Sequence, residues 1–440
     1  MRDFLPADKA RRERVLAVIR SVFAAHGFDE IETPVLEDSA RLHAGLGGDN
    51  EKLAFGVLKR GLTAEDFAAA TDALDLADLG LRFDLTVPLA RFYASHRAEL
   101  PAVFRAIQAA PVWRAERPQK GRYRQFVQCD IDIIGDAGSL AEIELLTATA
   151  DTFAALGLTG CTIRINDRRL LVGMLETLGF PAESHEQVLI TIDKLDKVGQ
   201  DGVIAELRAR GLDRAVDRGV DRGVEPAAID ALEQFFRRPQ TAELTSFGEQ
   251  AIRQALPAGA DDAVVAELVA IGHAVAGADP GRVGPAATVS KPTIEFDPFL
   301  VRGMGYYTGT IFEIAHPDVP YSLGGGGRYD GMIGRFLGVD VPAAGFSIGF
   351  ERIVDLVKLH DDTSAGGVAL VYDSDVTSTI LMQLKGELIA SGRRVRLERA
   401  PRNLKPLLAQ LQASGFVEMA TVTSDTATVA HLRMRKLGAE

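Results

Sequence analysis

A chain of 440 residues with 47% hydrophobic and 25% charged side chains has the composition of an ordinary globular protein, long enough for two or three domains. No cationic start leads into an apolar h-region and no apolar run reaches membrane-spanning length, so neither secretion nor a membrane partner is expected and the cytoplasm is the expected location. A formal net charge of −12 argues against indiscriminate nucleic-acid binding but leaves room for a basic patch, and Cys129 and Cys161 alone are too few for a disulfide framework or a zinc cluster.

From Ala10 to His26, Val15, Leu16, Ile19, Val22 and Phe23 fall at helical spacing and stop at Gly27, a helix C-terminal signal. A strand is expected next, with Phe28, Ile31, Thr33 and Val35 alternating imperfectly; Pro34 breaks it and suits a sheet edge or an interface between copies. From Leu81 to Ala94, Leu81, Phe83, Leu85 and Val87 share one strand face and Arg82, Asp84 and Thr86 the other, before Pro88 opens a helix. A carboxylate at Asp84 can hold an ammonium group. The plainer reading makes Thr86 a helix cap and leaves Asp84 in solvent.

Val112 to Gly135 reads as two strands joined by a basic loop. Val127, Cys129, Ile131 and Ile133 alternate with Gln128, Asp130 and Asp132, the pattern of a strand with one apolar and one polar face. Pairing it with the preceding strand puts Arg114, Glu116, Gln128 and Asp132 on one surface. Arg117, Lys120, Arg122 and Arg124 then stand over that surface around Pro118 and Gly121, positive charge suited to a polyanion. A charged hairpin that is merely solvated has the same signature.

Ser139 to Leu156 is helical in pattern and is expected to back the sheet. TIRIND gives a short strand with a cap at Asn166 or Asp167, and the helix after it stops at Gly179. From Glu186 to about Gly281 the chain is helix-forming, Ala-rich and mixed in charge, with a tetrapeptide echo from Asp213 to Val224; it reads as an inserted helical subdomain. Strand character resumes at Ile294. Arg302, Tyr306 and Tyr307 precede a strand from Thr310 to Ile314, and the glycines from Gly324 next to Arg328 either cradle a phosphate or let backbone approach a flat ligand. Arg352 falls in the first turn of a helix, where its charge opposes the helix dipole and an anionic ligand would offset it. After Asp361 to Gly367, strands alternate with helices as in a small α/β domain, with seven Lys or Arg residues against Glu387 and Glu398 between Lys385 and Lys405.

Together WRAERPQKGRYRQF with Gln128, GFSIGFER and LVRGMGYYTGTIFE resemble the second and third signature motifs and the histidine-specific segment of the histidyl-tRNA synthetase family of class II aminoacyl-tRNA synthetases. The resemblance implies an α+β fold: an antiparallel sheet core with flanking helices over 1–162 and 286–360, a mainly helical insertion over 163–285, and a C-terminal α/β anticodon-binding domain over 366–440. It implies ATP-dependent activation of L-histidine to histidyl-adenylate and transfer to the 3′ end of tRNA(His), by a homodimer, with Mg2+ accompanying ATP and no metal ligands assigned in the protein. Arg114 and Arg302 are the implied catalytic residues, both near the α-phosphate and the histidine carboxylate. Asp84, Thr86 and Gln128 are implied to hold the ammonium, Asp132 and Tyr307, beside Tyr306, the imidazole; Glu116, Arg122 and Arg352 join Arg114 on ATP. Two alternatives stand beside this: a non-catalytic paralogue serving as regulatory subunit of ATP-phosphoribosyltransferase, and a general amino-acid-activating protein without tRNA.

Overall fold

The period-two pattern around Cys129 builds the middle of an eight-stranded sheet. The computed structural model describes residues 1–43, 53–117, 123–213, 226–238, 247–277, 291–302, 307–358 and 366–438. Lys120, Gly121, Arg122, Tyr306 and the tetrapeptide echo beyond Asp213 lie outside the described residues. The chain divides into two compact units, one of residues 16–357 and one of residues 2–15 with 358–440.

In chain order the strands of the larger unit are β1 (Asp29–Glu30), β2 (Leu36–Asp38), β3 (Phe55–Leu58), β4 (Ala77–Leu81), β5 (Phe104–Trp113), β6 (Gln125–Ile134), β7 (Thr162–Asp167), β8 (Thr293–Phe296), β9 (Thr310–His316), β10 (Val319–Arg328) and β11 (Ala343–Gly349). The main sheet has the order β1-β5-β6-β11-β10-β9-β7-β8, antiparallel except for parallel pairs at its two edges. β2, β4 and β3 form a small antiparallel sheet of their own. Helices up to this point are α1 (Pro6–Ala25), α2 (Ser39–His43), α3 (Ala64–Ala69), α4 (Thr86–His96), α5 (Leu140–Ala155), α6 (Arg168–Thr177), α7 (His185–Ile192), α8 (Leu195–Asp213, kinked at Gly199), α9 (Pro226–Phe236), α10 (Glu249–Ala255), α11 (Asp262–Gly277), α12 (Asp330–Leu337) and α13 (Phe350–Val354).

Three boundaries differ from the sequence reading, each for a reason visible in the structure. The strand expected from Leu81 to Val87 stops at Leu81, because Arg82 turns inward: its Nε donates to Pro111 O at 3.0 Å and its Nη1 to Thr33 O at 2.7 Å. That anchor straps residues 82–85 across the end of β5. The helix then begins at Thr86, which is no cap; Asp84 Oδ1 takes the Val87 N–H instead, at 3.3 Å. The strand expected around Pro34 is reduced to β1 and β2 on either side of it, with β1 at an edge of the main sheet.

The division drawn at residue 163 falls inside β7, a strand of the core sheet paired with β8 and β9, so the helical stretch starts no earlier than Arg168. Asp167 caps it, accepting the Arg169 N–H at 2.8 Å. Val188, Leu189, Val203 and Leu232 of α7 to α9 share one buried apolar cluster with Val87 and Leu89 of α4 and Met332 of α12. Each fully buried aliphatic side chain there contributes roughly 1.5–3 kcal/mol.

The smaller unit matches the strand-helix alternation closely: β12 (Gly367–Tyr372), α14 (Ser378–Ala390), β13 (Val395–Arg399), α15 (Leu404–Ala413), β14 (Phe416–Val422) and β15 (Arg435–Lys436). β13, β12 and β14 are parallel and β15 closes the edge antiparallel. Along β12, Val368 and Leu370 pack with Leu384 of α14, while Ala369 and Val371 pack with Leu411 of α15, the alternation of a strand covered on both faces.

Candidate active site

On β6 the apolar series faces the core while Gln128, Asp130 and Asp132 turn into a cavity of about 240 Å³. They are buried all the same, at 8, 4 and 4% exposure, so three polar side chains line a cavity wall with little contact with solvent. β10 and β11 supply the floor. Gly325 carries no side chain because a Cβ there would stand 2.8 Å from the guanidinium of Arg302, and a Cβ at Gly345 would fall 2.0 Å from Asp132 Oδ1. The glycine run therefore makes room for site residues of the protein. Arg328 at its end faces away from the cavity and cradles no phosphate: its guanidinium meets Glu142 through Nε and Nη2 at 2.6 and 2.7 Å.

One end of the cavity is rich in acceptors. Asp84 is held there by the strap through Arg82 and by its bond to Val87 N, and its Oδ2 is buried without a hydrogen-bond partner among the described residues. Gln128 Oε1 and Asp130 Oδ1 are in the same state. Asp132 Oδ1 accepts from Tyr329 Oη at 2.6 Å, and buried Tyr307 lines the same wall. Burial pushes the carboxyl of Asp84 up to about 6 against the pull of Val87 N–H and Arg114. It pushes Asp132 to about 7 despite the Tyr329 hydroxyl, and it lifts Asp130 well above the usual carboxylate range, with Asp132 adding to the rise.

The other end is rich in guanidinium. Arg114 follows the last residue of β5 and is not on the strand; Nε donates to Phe83 O at 3.0 Å and Cζ lies 5.0 Å from the centre of the Phe126 ring. Glu116 also falls past the strand end and lines the cavity. Arg352 is fixed by a 2.6 Å bond from Nη1 to Ser322 O; α13 has only five residues, so the helix-dipole argument for an anion there has little force. Arg302 lies in coil beyond β8, not in a strand, and it is paired: Nη1 meets Glu313 Oε2 of β9 at 2.7 Å. A guanidinium has five N–H groups, so that pair orients Arg302 and leaves donors for a ligand.

Asp84, Thr86, Arg114, Glu116, Gln128, Asp132, Arg302, Tyr307 and Arg352 all line this one cavity. Asp130, Tyr329, Ser347 and Glu351 line it too and were missed. The period-two face of β6 already carried Asp130; Tyr329 had no such signal, since only the turn after β10 brings its hydroxyl to Asp132. A larger cavity of about 670 Å³ lies among Arg168, Met174, Pro257 and Arg335 and shares only Tyr307 with the first. Volume does not decide between them; the convergence of unmatched acceptors and cations does.

The family model described as histidyl-tRNA synthetase matches residues 1–353. The chain belongs to the histidyl-tRNA synthetase family. The histidine-tRNA ligase of Leifsonia xyli subsp. xyli is 59% identical to it over 434 residues, covering 98% of this chain and 96% of the relative. That of Phocaeicola vulgatus is 34% identical over 385 residues, covering 84% and 79%. The crystal structure of the histidyl-tRNA synthetase from Nostoc sp. PCC 7120 aligns with a TM-score of 0.73 at 25% identity, covering 99% of this chain and 93% of that one. The fold is accordingly the class II synthetase α+β fold. A structure from Bacillus halodurans described as an ATP phosphoribosyltransferase regulatory subunit/histidyl-tRNA synthetase shares the fold, with a TM-score of 0.70 at 18% identity. Synthetase-family chains are thus told apart by their site and not by their fold.

Proposed function

We propose that this histidyl-tRNA synthetase family member activates L-histidine with ATP in the 240 Å³ cavity and transfers it to the 3′-terminal adenosine of tRNA(His). The observation that carries the reading is polarity: buried acceptors gather at one end and guanidinium groups at the other, the complement of an ammonium and imidazole joined to a carboxylate and a triphosphate. Asp84, Thr86 and Gln128 receive the ammonium. A neutral imidazole has one donor and one acceptor nitrogen, which Asp132 and Tyr307 match; a side chain unable to return both bonds would leave buried groups unpaired and be rejected.

In the first step a carboxylate oxygen of histidine bonds to the α-phosphorus of ATP as the bond to the β-phosphate oxygen breaks and pyrophosphate leaves. Negative charge redistributes over the α-phosphate oxygens, where Arg114 and Arg302 act; Arg352, Glu116 and the basic loop with Arg122 hold the rest of ATP. In the second step the ribose hydroxyl of the tRNA end attacks the carbonyl carbon and AMP leaves. Neither step needs a protein nucleophile; fixed cations and alignment supply the rate. Mg2+ fits as an ion carried by the phosphates: no cluster of three candidate ligands occurs among the described residues, while Glu116 and Glu351 line the same cavity as Arg352. When bound it neutralises phosphate charge.

The working form is a homodimer in the cytoplasm, a reading supported by the edge position of β1 and by Val35 and Leu36, apolar yet 40 and 41% exposed beside Pro34. The smaller unit reads tRNA, supported by Arg394 and Arg396, whose guanidinium groups lie 4.5 and 4.6 Å from the Phe416 ring centre within a basic stretch. The regulatory-subunit reading has no need of a cavity furnished at both ends, and nothing in the site favours it. Incubating the chain with labelled histidine, ATP, Mg2+ and tRNA(His) should give acid-precipitable histidyl-tRNA. Adenylate formation without charging would remove the tRNA step, and no adenylate would remove both.

A further inference from the structure

Three buried acceptors in the cavity lack a hydrogen-bond partner among the described residues, and the proposed function uses only two of them. Asp130 is the third. It stands in the middle of β6, opposite Gln108 of β5 and Ser347 of β11, and Gln108 is committed elsewhere, donating to Leu85 O at 3.0 Å. Gln128 Nε2 donates to Asp130 Oδ2 at 3.2 Å and to Ser347 Oγ at 3.2 Å, which leaves Gln128 Oε1 and Asp130 Oδ1 both unmatched. Asp84 Oδ2 completes the set. A buried polar atom left without a partner is costly and rare in a folded protein, so three of them lining one cavity point to a ligand group with three donors. A primary ammonium is that group.

We propose that Asp130 is a direct recognition residue for the α-ammonium of the amino-acid substrate, joining Asp84, Thr86 and Gln128. The inference rests on the reading of this cavity as an amino-acid site. It gives the site a second carboxylate toward the ammonium and makes binding depend on proton exchange. The charged and titratable groups facing Asp130 are Asp132 on its own strand, Asp84 from the turn before α4 and Arg114 beyond β5; Ser347, opposite it on β11, is uncharged, and its hydroxyl together with Arg114 pulls the carboxyl the other way. Burial and the two neighbouring carboxylates raise the Asp130 carboxyl well above its ordinary range, and an arriving ammonium, by favouring the charged form, promotes release of a proton to solvent. Asparagine matches aspartate in size and shape and keeps the fold, while it removes the charge that meets the ligand.

The test compares two ligands that differ only in the group at issue. Histidine carries the ammonium; 3-(imidazol-4-yl)propionate has the same imidazole and carboxylate without it. In calorimetry at pH 7, Asp130→Asn should weaken histidine binding by roughly 10- to 100-fold and leave imidazolylpropionate within about twofold of the wild type, as expected for a buried charge-assisted bond. Histidine binding measured in two buffers of different ionisation enthalpy should also release less proton in the variant than in the wild type. Equal weakening of both ligands, or none of either, overturns the proposal. Failure of the wild type to bind histidine at all defeats the reading of the cavity itself, a distinguishable result. If Asp130→Asn does not fold, Asp130→Ser runs the same comparison, with the same selective loss expected and the same equal loss contradicting it.

Discussion

Two buried charged clusters lie on the central strands of this protein, and they differ in one respect. Around Arg328 every N–H has an acceptor: Glu142 takes two, Asp136 O and Gly138 O take bonds at 3.1 and 2.9 Å, and Asp330 Oδ1 stands at 3.2 Å. In the cavity, Asp84, Gln128 and Asp130 each keep a buried oxygen unmatched, and three arginines line the far wall. Residue types alone do not separate the two. A saturated cluster holds the fold, whereas an unsaturated one is completed by what binds it.

The largest effect should come from breaking the saturated cluster. Arg328→Met strands the fully buried Glu142 and should cost about 3–5 kcal/mol of folding stability by denaturant titration. A loss below about 1 kcal/mol would erase the distinction drawn here. Arg302→Gln, in the unsaturated cluster, should instead lower the single-turnover adenylation rate about a hundredfold, roughly 3 kcal/mol, while calorimetry finds histidine affinity changed only a few-fold. A less stable protein with near-normal turnover would reassign Arg302 to holding Glu313.

A smaller effect concerns pH. The carboxyl of Asp84 titrates near 3.8 unfolded and about 6 in the folded chain, so its contribution to stability is present below pH 3.8 and is lost as pH rises through 6. Without ligand, Asp84→Asn should therefore be more stable than the wild type at pH 7, by on the order of 2–3 kcal/mol, with the difference fading toward pH 4. Saturating histidine should reverse the sign at pH 7. A difference independent of pH would mean that Asp84 is not strained in the free site. Glu313→Gln should be mildest, slowing adenylation about tenfold, near 1.4 kcal/mol, by loosening Arg302 without removing it. Glu313→Asp should recover part of that rate, which a loss of stability alone would not.

Much of this was legible in the sequence because it depends on local periodicity. The alternation from Val127 to Ile133 located the central strand β6, and the strand-helix alternation expected after Gly367 is the order of elements found there. The motif resemblance supplied the candidate residues that line the cavity. What stayed hidden depends on contacts far apart in the chain. Arg82 ends its strand early because Thr33 and Pro111 wait for it, 49 and 29 residues away. Arg302 has its partner on β9, and Tyr329 reaches Asp132 across 197 residues. Asp130 was visible on the polar face of β6 yet was passed over, since nothing in a sequence says which buried oxygen lacks a partner.

The central claim is that the unmatched groups in this cavity select histidine for activation by ATP. Pyrophosphate exchange into ATP, run with each of the proteinogenic amino acids at equal concentration, tests it most directly. The account predicts exchange with histidine alone, because only its side chain returns the bonds of Asp132 and Tyr307. Comparable exchange with any other amino acid, or none with histidine, would contradict it.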